Sequence, residues 1–139
     1  MSDWENVPED ISEYQGFIYR ITNLKTGMYY IGKKFFKSKR VMKPLKGKTR
    51  KRHKVVESDW KSYWGSCRRL QEDIAKYGKD NFKREILGCY ETKFDCAYQE
   101  AKLQFDIGVL FDPLSFNEII NIRLRKSKQK DLNVSISKE

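Results

Sequence analysis

Two tyrosines and one glutamate are the side chains in this sequence whose types and positions suggest chemistry. Tyr19 and Tyr30 belong to the stretch 16–32, which reads GFIYRITNLKTGMYYIG. Glu100 lies in a later segment, 94–109, whose apolar residues repeat at helical spacing. A carboxylate on the apolar stripe of a helix is costly unless it is paired or bound to a cation, so Glu100 is predicted to be functional. The alternative is a glutamate at the edge of the stripe that reaches solvent or a nearby lysine.

The tyrosines are predicted to lie on the two strands of a tight β-hairpin. Residues 17–22 alternate in the period of two that a half-buried strand imposes on its side chains. Residues 23–27 supply Asn, Lys, Thr and Gly, which tolerate turn geometry, and residues 28–31 resume with strand-forming types. Tyr19 and Tyr30 therefore fall on adjacent strands. The alternative is that these tyrosines only pack against each other.

Two helices and a third strand complete the predicted domain. The first helix follows Ser66 as N-cap and ends at Gly78 in a left-handed cap. The strand spans 82–90 and pairs with the hairpin, with Phe82 and Ile86 on one face and Leu87 and Cys89 on the other.

The second helix is predicted to be capped by Asp95 and broken at Asp112-Pro113. Residues 120–124 alternate as a short terminal strand or edge segment. These elements predict an α+β fold with a small antiparallel or mixed three-stranded sheet and flanking helices. Trp60, Tyr63 and Trp64, just before the first helix, are predicted to be core aromatics.

Charge is distributed unevenly along the chain. The sequence carries 29 Lys and Arg against 19 Asp and Glu, a net charge of +10. Twelve of the basic residues, and no acidic one, lie between positions 33 and 56, where Pro44 and Gly47 predict a loop. We interpret this loop as a surface that follows a phosphate backbone, the alternative being a merely solvated loop. Its candidate nucleic-acid contacts are Lys34, Lys48, Arg50, Lys51, Arg52, His53 and Lys54.

The length of 139 residues fits one domain at 16–125, preceded by an acidic arm at 1–15 and followed by a flexible tail at 126–139. No apolar run approaches the length of a membrane span, so a cytoplasmic protein is expected. Three cysteines without a CxxC pair predict reduced thiols, and a single histidine makes a structural zinc site improbable. Any catalytic metal is therefore expected to have oxygen ligands. The sequence makes no prediction of oligomeric state.

The hairpin resembles the signature of the GIY-YIG nucleases, whose two halves match Tyr19 and the run Tyr30-Ile31-Gly32. Further positions in the order of that family are a lysine after the YIG glycine, an arginine eight residues after it, a helical glutamate and a closing aromatic-Asn pair. They correspond to Lys33, Arg40, Glu100 and Phe116-Asn117. The resemblance covers about residues 16–125.

The resemblance implies a DNA endonuclease that depends on Mg²⁺, for which Mn²⁺ can substitute, and needs no small-molecule cofactor. By this resemblance Tyr19 is the general base, with its pKa depressed by Lys33 and the metal, Arg40 binds the scissile phosphate and Glu100 holds the single metal ion. Tyr30 and Asn117 orient and brace the site. The implied substrate is double-stranded DNA, in a bacterial or phage-infected cell, as for phage homing endonucleases. No separate DNA-recognition domain is expected after the catalytic one.

Several alternatives stay open at this point. Either His53 or Tyr63 fits an additional position that the family often occupies with His or Tyr, and Asn121 competes with Asn117 for the terminal position. A nucleic-acid-binding module of the same fold with weak or lost catalysis is the main functional alternative. An RNA-associated or ribosomal basic domain is the third.

Overall fold

Two β-sheets and two α-helices make up the fold in the computed structural model, which describes residues 3–126. The elements in chain order are β1 (Trp4–Glu5), β2 (Gly16–Asn23), β3 (Tyr29–Phe35), β4 (Lys37–Met42), β5 (Arg52–Glu57), α1 (Arg68–Tyr77), β6 (Phe82–Tyr90) and α2 (Lys93–Ile107). Short 3₁₀ turns at Trp60–Ser62 and Lys79–Asn81 precede α1 and β6. The predicted α+β class is confirmed. None of the helices described is long and apolar enough to cross a membrane.

The main sheet has the strand order β1-β6-β2-β3. The predicted hairpin forms from β2 and β3, and β6 pairs antiparallel with β2 as predicted. A fourth strand, β1, comes from the acidic arm and runs parallel to β6. Trp4 fixes this arm, because its ring is buried and its Nε1–H donates to the backbone oxygen of Trp60 at 2.8 Å.

Strand β2 lies inside the sheet and is buried on both faces, not on one face as the alternation predicted. Phe17 and Tyr19 face an aromatic core that includes Trp60 and the apolar side of α1. Ile18 faces the opposite side and packs in a smaller core with Ile31. Of the three aromatics before α1, Trp60 is fully in the core, whereas Tyr63 and Trp64 are half-buried against it.

Both helices begin at residues other than those predicted. Helix α1 starts after Cys67, which makes no side-chain cap, and Ser66 is not the N-cap. Gly78 ends α1 as predicted and has a φ of 88°, but its ψ of 145° is not that of a left-handed cap, and the chain continues into the 3₁₀ turn Lys79–Asn81. The cap of α2 is Thr92, whose Oγ1 accepts from the N–H of Asp95 at 3.0 Å. Asp95 therefore contributes its backbone and not its carboxylate to the cap. The helix ends at Gly108, before the predicted break.

A β-bulge at Leu87 changes the facing of residues in β6. Tyr19 pairs with Ile86, whereas its neighbour Ile18 pairs with Gly88, so Leu87 is left without a partner. The extra residue shifts the alternation by one, and Cys89 packs against the same aromatic core as Ile86. The prediction that Cys89 faces away from Ile86 was therefore wrong. All three cysteines are free thiols.

The basic segment is not a loop. Strand β3 continues to Phe35, and β4 and β5 then form a separate antiparallel two-stranded sheet. We call residues 37–57 the basic ribbon. Pro44 and Gly47 lie in the connection 43–51 between its strands, while the valines of β4 and β5 fall where strand-forming residues are favoured.

The predicted terminal strand at 120–124 is absent, since residues 117–126 form neither helix nor strand. The chain instead covers the free edge of β3 a few residues earlier. The N–H of Tyr29 donates to the backbone oxygen of Leu114 at 2.9 Å, and the N–H of Phe116 donates to that of Tyr29 at 2.7 Å. Most of the predicted tail, residues 127–139, lies outside the described residues.

Candidate active site

Gly32 creates the space in which the candidate site is built. Gly32 and Tyr19 are cross-strand partners in the pair β2–β3. A Cβ at Gly32 would lie 2.6 Å from Tyr19 Oη and 2.9 Å from a ring carbon of Tyr30. Any larger residue would therefore collide with both signature tyrosines. The glycine of the YIG run lets the hydroxyl of Tyr19 reach the edge strand.

Three tyrosines meet at this place. The ring centroid of Tyr19 lies 6.2 Å from that of Tyr30 and 5.9 Å from that of Tyr63. Burial is the main cause that raises the pKa of Tyr19, and a side-chain hydrogen bond with Tyr63 acts in the same direction. Tyr63 therefore joins the signature tyrosines, whereas the other sequence candidate, His53, is exposed on β5.

Lys34 contacts both Tyr63 and Asp59. Its Nζ lies 4.1 Å from the centroid of the Tyr63 ring and 2.7 Å from Oδ1 of Asp59. The cation and the ring attract each other, which holds Tyr63 in place. Lys34, predicted as a DNA contact, is thus engaged next to the tyrosines.

Glu100 reaches the same strand from helix α2. Its side chain is 16% exposed and lies 3.3 Å from Nζ of Lys33. Gln104, one turn further along α2, donates from Nε2 to the second carboxylate oxygen at 3.4 Å. Glu100 is therefore mostly buried, as predicted, and it also contacts a lysine, as in the alternative interpretation.

Glu100 and the tyrosine cluster approach β3 from opposite faces of the sheet. Lys33 pairs with Ile18 and shares its face, which α2 covers, whereas Tyr19 and Tyr30 lie on the other face. Because β3 ends the sheet, the tyrosines and Glu100 can act around one edge. The charge of Glu100 contributes to the pKa of both Tyr19 and Tyr30, so they are electrostatically connected.

The site favours protonated tyrosines. Burial raises the pKa of Tyr19 well above the usual 10, and Tyr63, Tyr30 and Glu100 act in the same direction. Burial also raises the pKa of Tyr30 to about 12. The expected depression of the Tyr19 pKa by Lys33 is not found, because the ammonium group of Lys33 is directed to Glu100.

Asn117 braces the edge strand through the backbone of Ile31. Its Oδ1 accepts from the N–H of Ile31 at 3.0 Å, and its Nδ2 donates to the backbone oxygen of Ile31 at 2.9 Å. Ser115 donates from Oγ to Asn117 Oδ1, and Gln104 donates to the same Ile31 oxygen at 2.9 Å. Asn117 is buried, whereas Asn121 is exposed.

The structure adds Gln104 and Ser115 to the candidate residues. The sequence signal for Gln104 was its position one turn after Glu100, on the same side of the helix. Ser115 had no signal of its own, since its role depends on how the chain turns back to β3.

Arg40 is not part of this cluster. It lies on β4, exposed and opposite Lys54 of β5. Arg52, His53 and Lys54 are on β5, and Lys48, Arg50 and Lys51 lie in the connection between the strands. Most predicted nucleic-acid contacts are therefore on the basic ribbon.

The donor set suits a hard, largely hydrated cation. The described residues contain no group of three or more His, Cys, Asp or Glu side chains able to enclose a metal ion. Glu100 supplies one partly buried carboxylate, whose two oxygens contact Lys33 Nζ and Gln104 Nε2. Mg²⁺ commonly binds through one or two carboxylates and keeps several waters, so these residues fit it.

The hairpin with paired tyrosines, the glycine beneath them, the helical glutamate and the asparagine brace define a GIY-YIG nuclease domain. The chain belongs to the GIY-YIG nuclease family: residues 2–120 match the family model described as "Putative endonuclease segE, GIY-YIG domain". No curated protein and no solved structure matches the chain. The predicted family is thereby confirmed, and with it the class of nuclease domains that act on nucleic acid.

Proposed function

We propose that this protein is a Mg²⁺-dependent DNA endonuclease that hydrolyses phosphodiester bonds at the edge of β3. The observation that carries the proposal is the partly buried Glu100 carboxylate. It lies on the opposite side of strand β3 from the tyrosines Tyr19, Tyr30 and Tyr63. A carboxylate in this position would repel a phosphate, so it favours a role in cation binding. Mn²⁺ is proposed to substitute for Mg²⁺ at the same oxygen.

In this proposal Glu100 holds the metal ion and Lys33 contributes a second positive charge. When bound, the cation supplies positive charge to the phosphate and to the departing 3′ oxygen. Nζ of Lys33 is only 3.3 Å from Glu100, and the Lys33 side chain is one-third exposed. It is therefore able to turn from the carboxylate to a non-bridging phosphate oxygen. Gln104 keeps the Glu100 side chain oriented.

Tyr19 is proposed to be the general base through its hydrogen bond with Tyr63. Because its raised pKa keeps Tyr19 protonated at neutral pH, it cannot accept a proton unless it releases its own. The attacking water gives a proton to Tyr19 Oη while the Tyr19 proton passes to Tyr63, which is half-buried and can release a proton to solvent. The water oxygen then forms the new bond to phosphorus, and the bond to the 3′ oxygen breaks.

Tyr30 and Arg40 complete the proposed roles. Tyr30 orients the water or phosphate by a hydrogen bond from its hydroxyl group. Arg40 is proposed to bind backbone phosphate from the basic ribbon, and its contact with the scissile phosphate stays a prediction. The proposed substrate is double-stranded DNA.

The proposal is tested by incubating the protein with supercoiled plasmid in Mg²⁺, in Mn²⁺ and in EDTA. Cleavage is expected with either metal and not with EDTA. The variant Glu100→Gln keeps the size of the side chain and removes its charge, so it is expected to cut at least about 10²-fold more slowly, the range of a lost electrostatic group. DNA binding in EDTA is expected to persist or to tighten, because a negative charge near phosphate is removed.

Glu72→Gln is the matched control, since Glu72 lies exposed on α1, where it pairs with Arg68. It should cut like the wild type. Equal cleavage by Glu100→Gln, or cleavage that persists in EDTA, would contradict the metal role of Glu100. Absence of cleavage with both metals would contradict the enzyme itself.

A further inference from the structure

The basic ribbon has two exposed faces and no core of its own. Within residues 3–126 its strands pair only with each other, and their residues are exposed or half-exposed. Isolated two-stranded hairpins are marginally stable in water. An element of this kind, projecting from a packed domain, is expected to gain stability from a partner.

The register divides the ribbon into two faces of different chemistry. Opposite residues of an antiparallel pair point to the same side, so Arg40 and Lys54 lie together with the pair Met42 and Arg52. We call this side the cationic face. The other side carries Lys39 opposite Val55 and Val41 opposite His53, with both valines exposed.

The cationic face repels itself in the free protein. Like charges directly opposite each other destabilise a strand pair, and Arg40 faces Lys54 in this way. Among the described residues, no carboxylate forms an ion pair with Arg40, Arg52 or Lys54. The ribbon contains ten Lys and Arg and a single acidic residue, Glu57, at its base. A polyanion would relieve this repulsion.

The base of the ribbon is fixed to the strand that carries the site. Phe36, between β3 and β4, is fully buried, and its N–H donates to the backbone oxygen of Gln15 at 2.8 Å. Ser58 donates from its N–H to the oxygen of Phe36 and from Oγ to the oxygen of Phe35, at 2.8 and 2.6 Å. A nucleic acid held by the ribbon therefore lies at a set distance from Lys33, four residues before β4 begins.

We propose that the ribbon enters the major groove of duplex DNA with its cationic face towards the bases. Neighbouring strands are about 4.8 Å apart, and the B-DNA major groove is about 12 Å wide, which admits a two-stranded ribbon. Arginine forms bidentate hydrogen bonds with guanine O6 and N7, which Arg52 on the cationic face is placed to make. The lysines of the connection, such as Lys48 and Lys51, contact the flanking phosphates. This inference rests on the proposed function, because it takes DNA as the substrate.

The groove geometry separates this proposal from other nucleic-acid partners. The major groove of A-form RNA is too deep and narrow for side chains to read, so a duplex RNA of the same sequence should bind less well. A single strand offers the same phosphates but no groove. A surface that only follows phosphates would bind all three in proportion to their charge.

The experiment measures binding in EDTA to a short DNA duplex, its single strand and the matching RNA duplex. The double variant Arg52→Gln with Lys54→Gln is expected to weaken duplex DNA binding about tenfold or more, because contacts with base edges are lost. Its loss on the single strand and on RNA should be smaller. The control variant, Lys25→Gln with Lys76→Gln, removes the same charge from the turn between β2 and β3 and from the last turn of α1, and should lose little.

Methylation by dimethyl sulfate gives a second measurement, because it reports guanine N7 in the major groove and adenine N3 in the minor groove. The wild type is expected to protect guanine N7, and the double variant to lose that protection. The ribbon proposal would be overturned if the double variant lost equal affinity for all three nucleic acids, or if the wild type protected only adenine N3. Metal-dependent cleavage by the wild type would in that case still support the proposed enzyme. Guanine N7 protection without any metal-dependent cleavage would support the ribbon proposal and overturn the enzyme.

Discussion

The edge of β3 and the basic ribbon show two ways of placing charged and polar groups in one small domain. At the edge, Glu100 and Tyr19 are held by packing and by hydrogen bonds from neighbouring side chains. On the ribbon, the charges stand exposed and mostly without partners on a two-stranded sheet. Burial at the edge raises the pKa of Tyr19. Substitution of a buried group there is expected to have a large effect.

This difference indicates a division of labour. Groups that must carry a proton or a metal need fixed positions and a low dielectric, which packing supplies. Groups that neutralise phosphates act additively and are screened by salt, so exposure costs them little. Single substitutions should therefore have large effects at the edge and small effects on the ribbon.

The largest of the following effects is expected for Tyr19→Phe. This change removes the hydroxyl group, keeps the ring and is expected to lower the cleavage rate by about 10² or more, as for the loss of a general base. Tyr30→Phe is the matched control on the adjacent strand and should cost less. Plasmid cleavage and DNA affinity are measured together, and affinity should be unchanged in both variants. Wild-type cleavage by Tyr19→Phe would end its assignment as base.

The pH dependence of cleavage sharpens this test. Because the pKa of Tyr19 lies well above 10, the hydroxyl is protonated at neutral pH, and the rate should rise with pH up to about 10. In Tyr19→Phe the profile should be flat over the same range. Above pH 10 the unfolded tyrosine ionises before the buried one does, so the stability of the folded protein should begin to fall there. Rates are therefore compared below that pH.

A smaller effect, on folding stability, is expected for Asn117→Ala. The change removes the oxygen that accepts a hydrogen bond from the buried N–H of Ile31. Leaving this N–H unsatisfied should lower the free energy of unfolding by about 1–3 kcal/mol. Denaturant unfolding measures the loss. Asn121→Ala is the control, because Asn121 is exposed, and its unfolding should match the wild type. Equal losses in the two variants would contradict the brace.

The smallest effect per residue is expected in the connection of the ribbon. Neutralising Lys48, Arg50 and Lys51 together should weaken binding to all DNA sequences and reduce the salt slope by roughly one for each lost phosphate contact. Binding is measured by titration at several salt concentrations. An unchanged slope would identify the connection as a merely solvated segment.

Local pattern in the sequence predicted the elements that build the candidate site at the edge of β3. The hairpin, the strand 82–90 and the helix that carries Glu100 all form where apolar period and turn residues placed them. The signature tyrosines and Gly32 were recognisable because their roles depend on close spacing along one hairpin. The helix caps were wrong by one to three residues, because α1 begins after Cys67 without a side-chain cap and Thr92 caps α2 in place of Asp95.

Long-range packing decided the rest. The basic segment became a ribbon because β4 and β5 pair across the nine-residue connection 43–51, which no short periodicity reveals. The bulge at Leu87, the choice of Tyr63 over His53 and the brace by Asn117 depend on residues brought together from distant parts of the chain. Sequence alone determined which groups this protein carries for its chemistry. Tertiary structure decided which of them meet, because a side chain's pKa and partners depend on burial, and burial is a property of the whole fold.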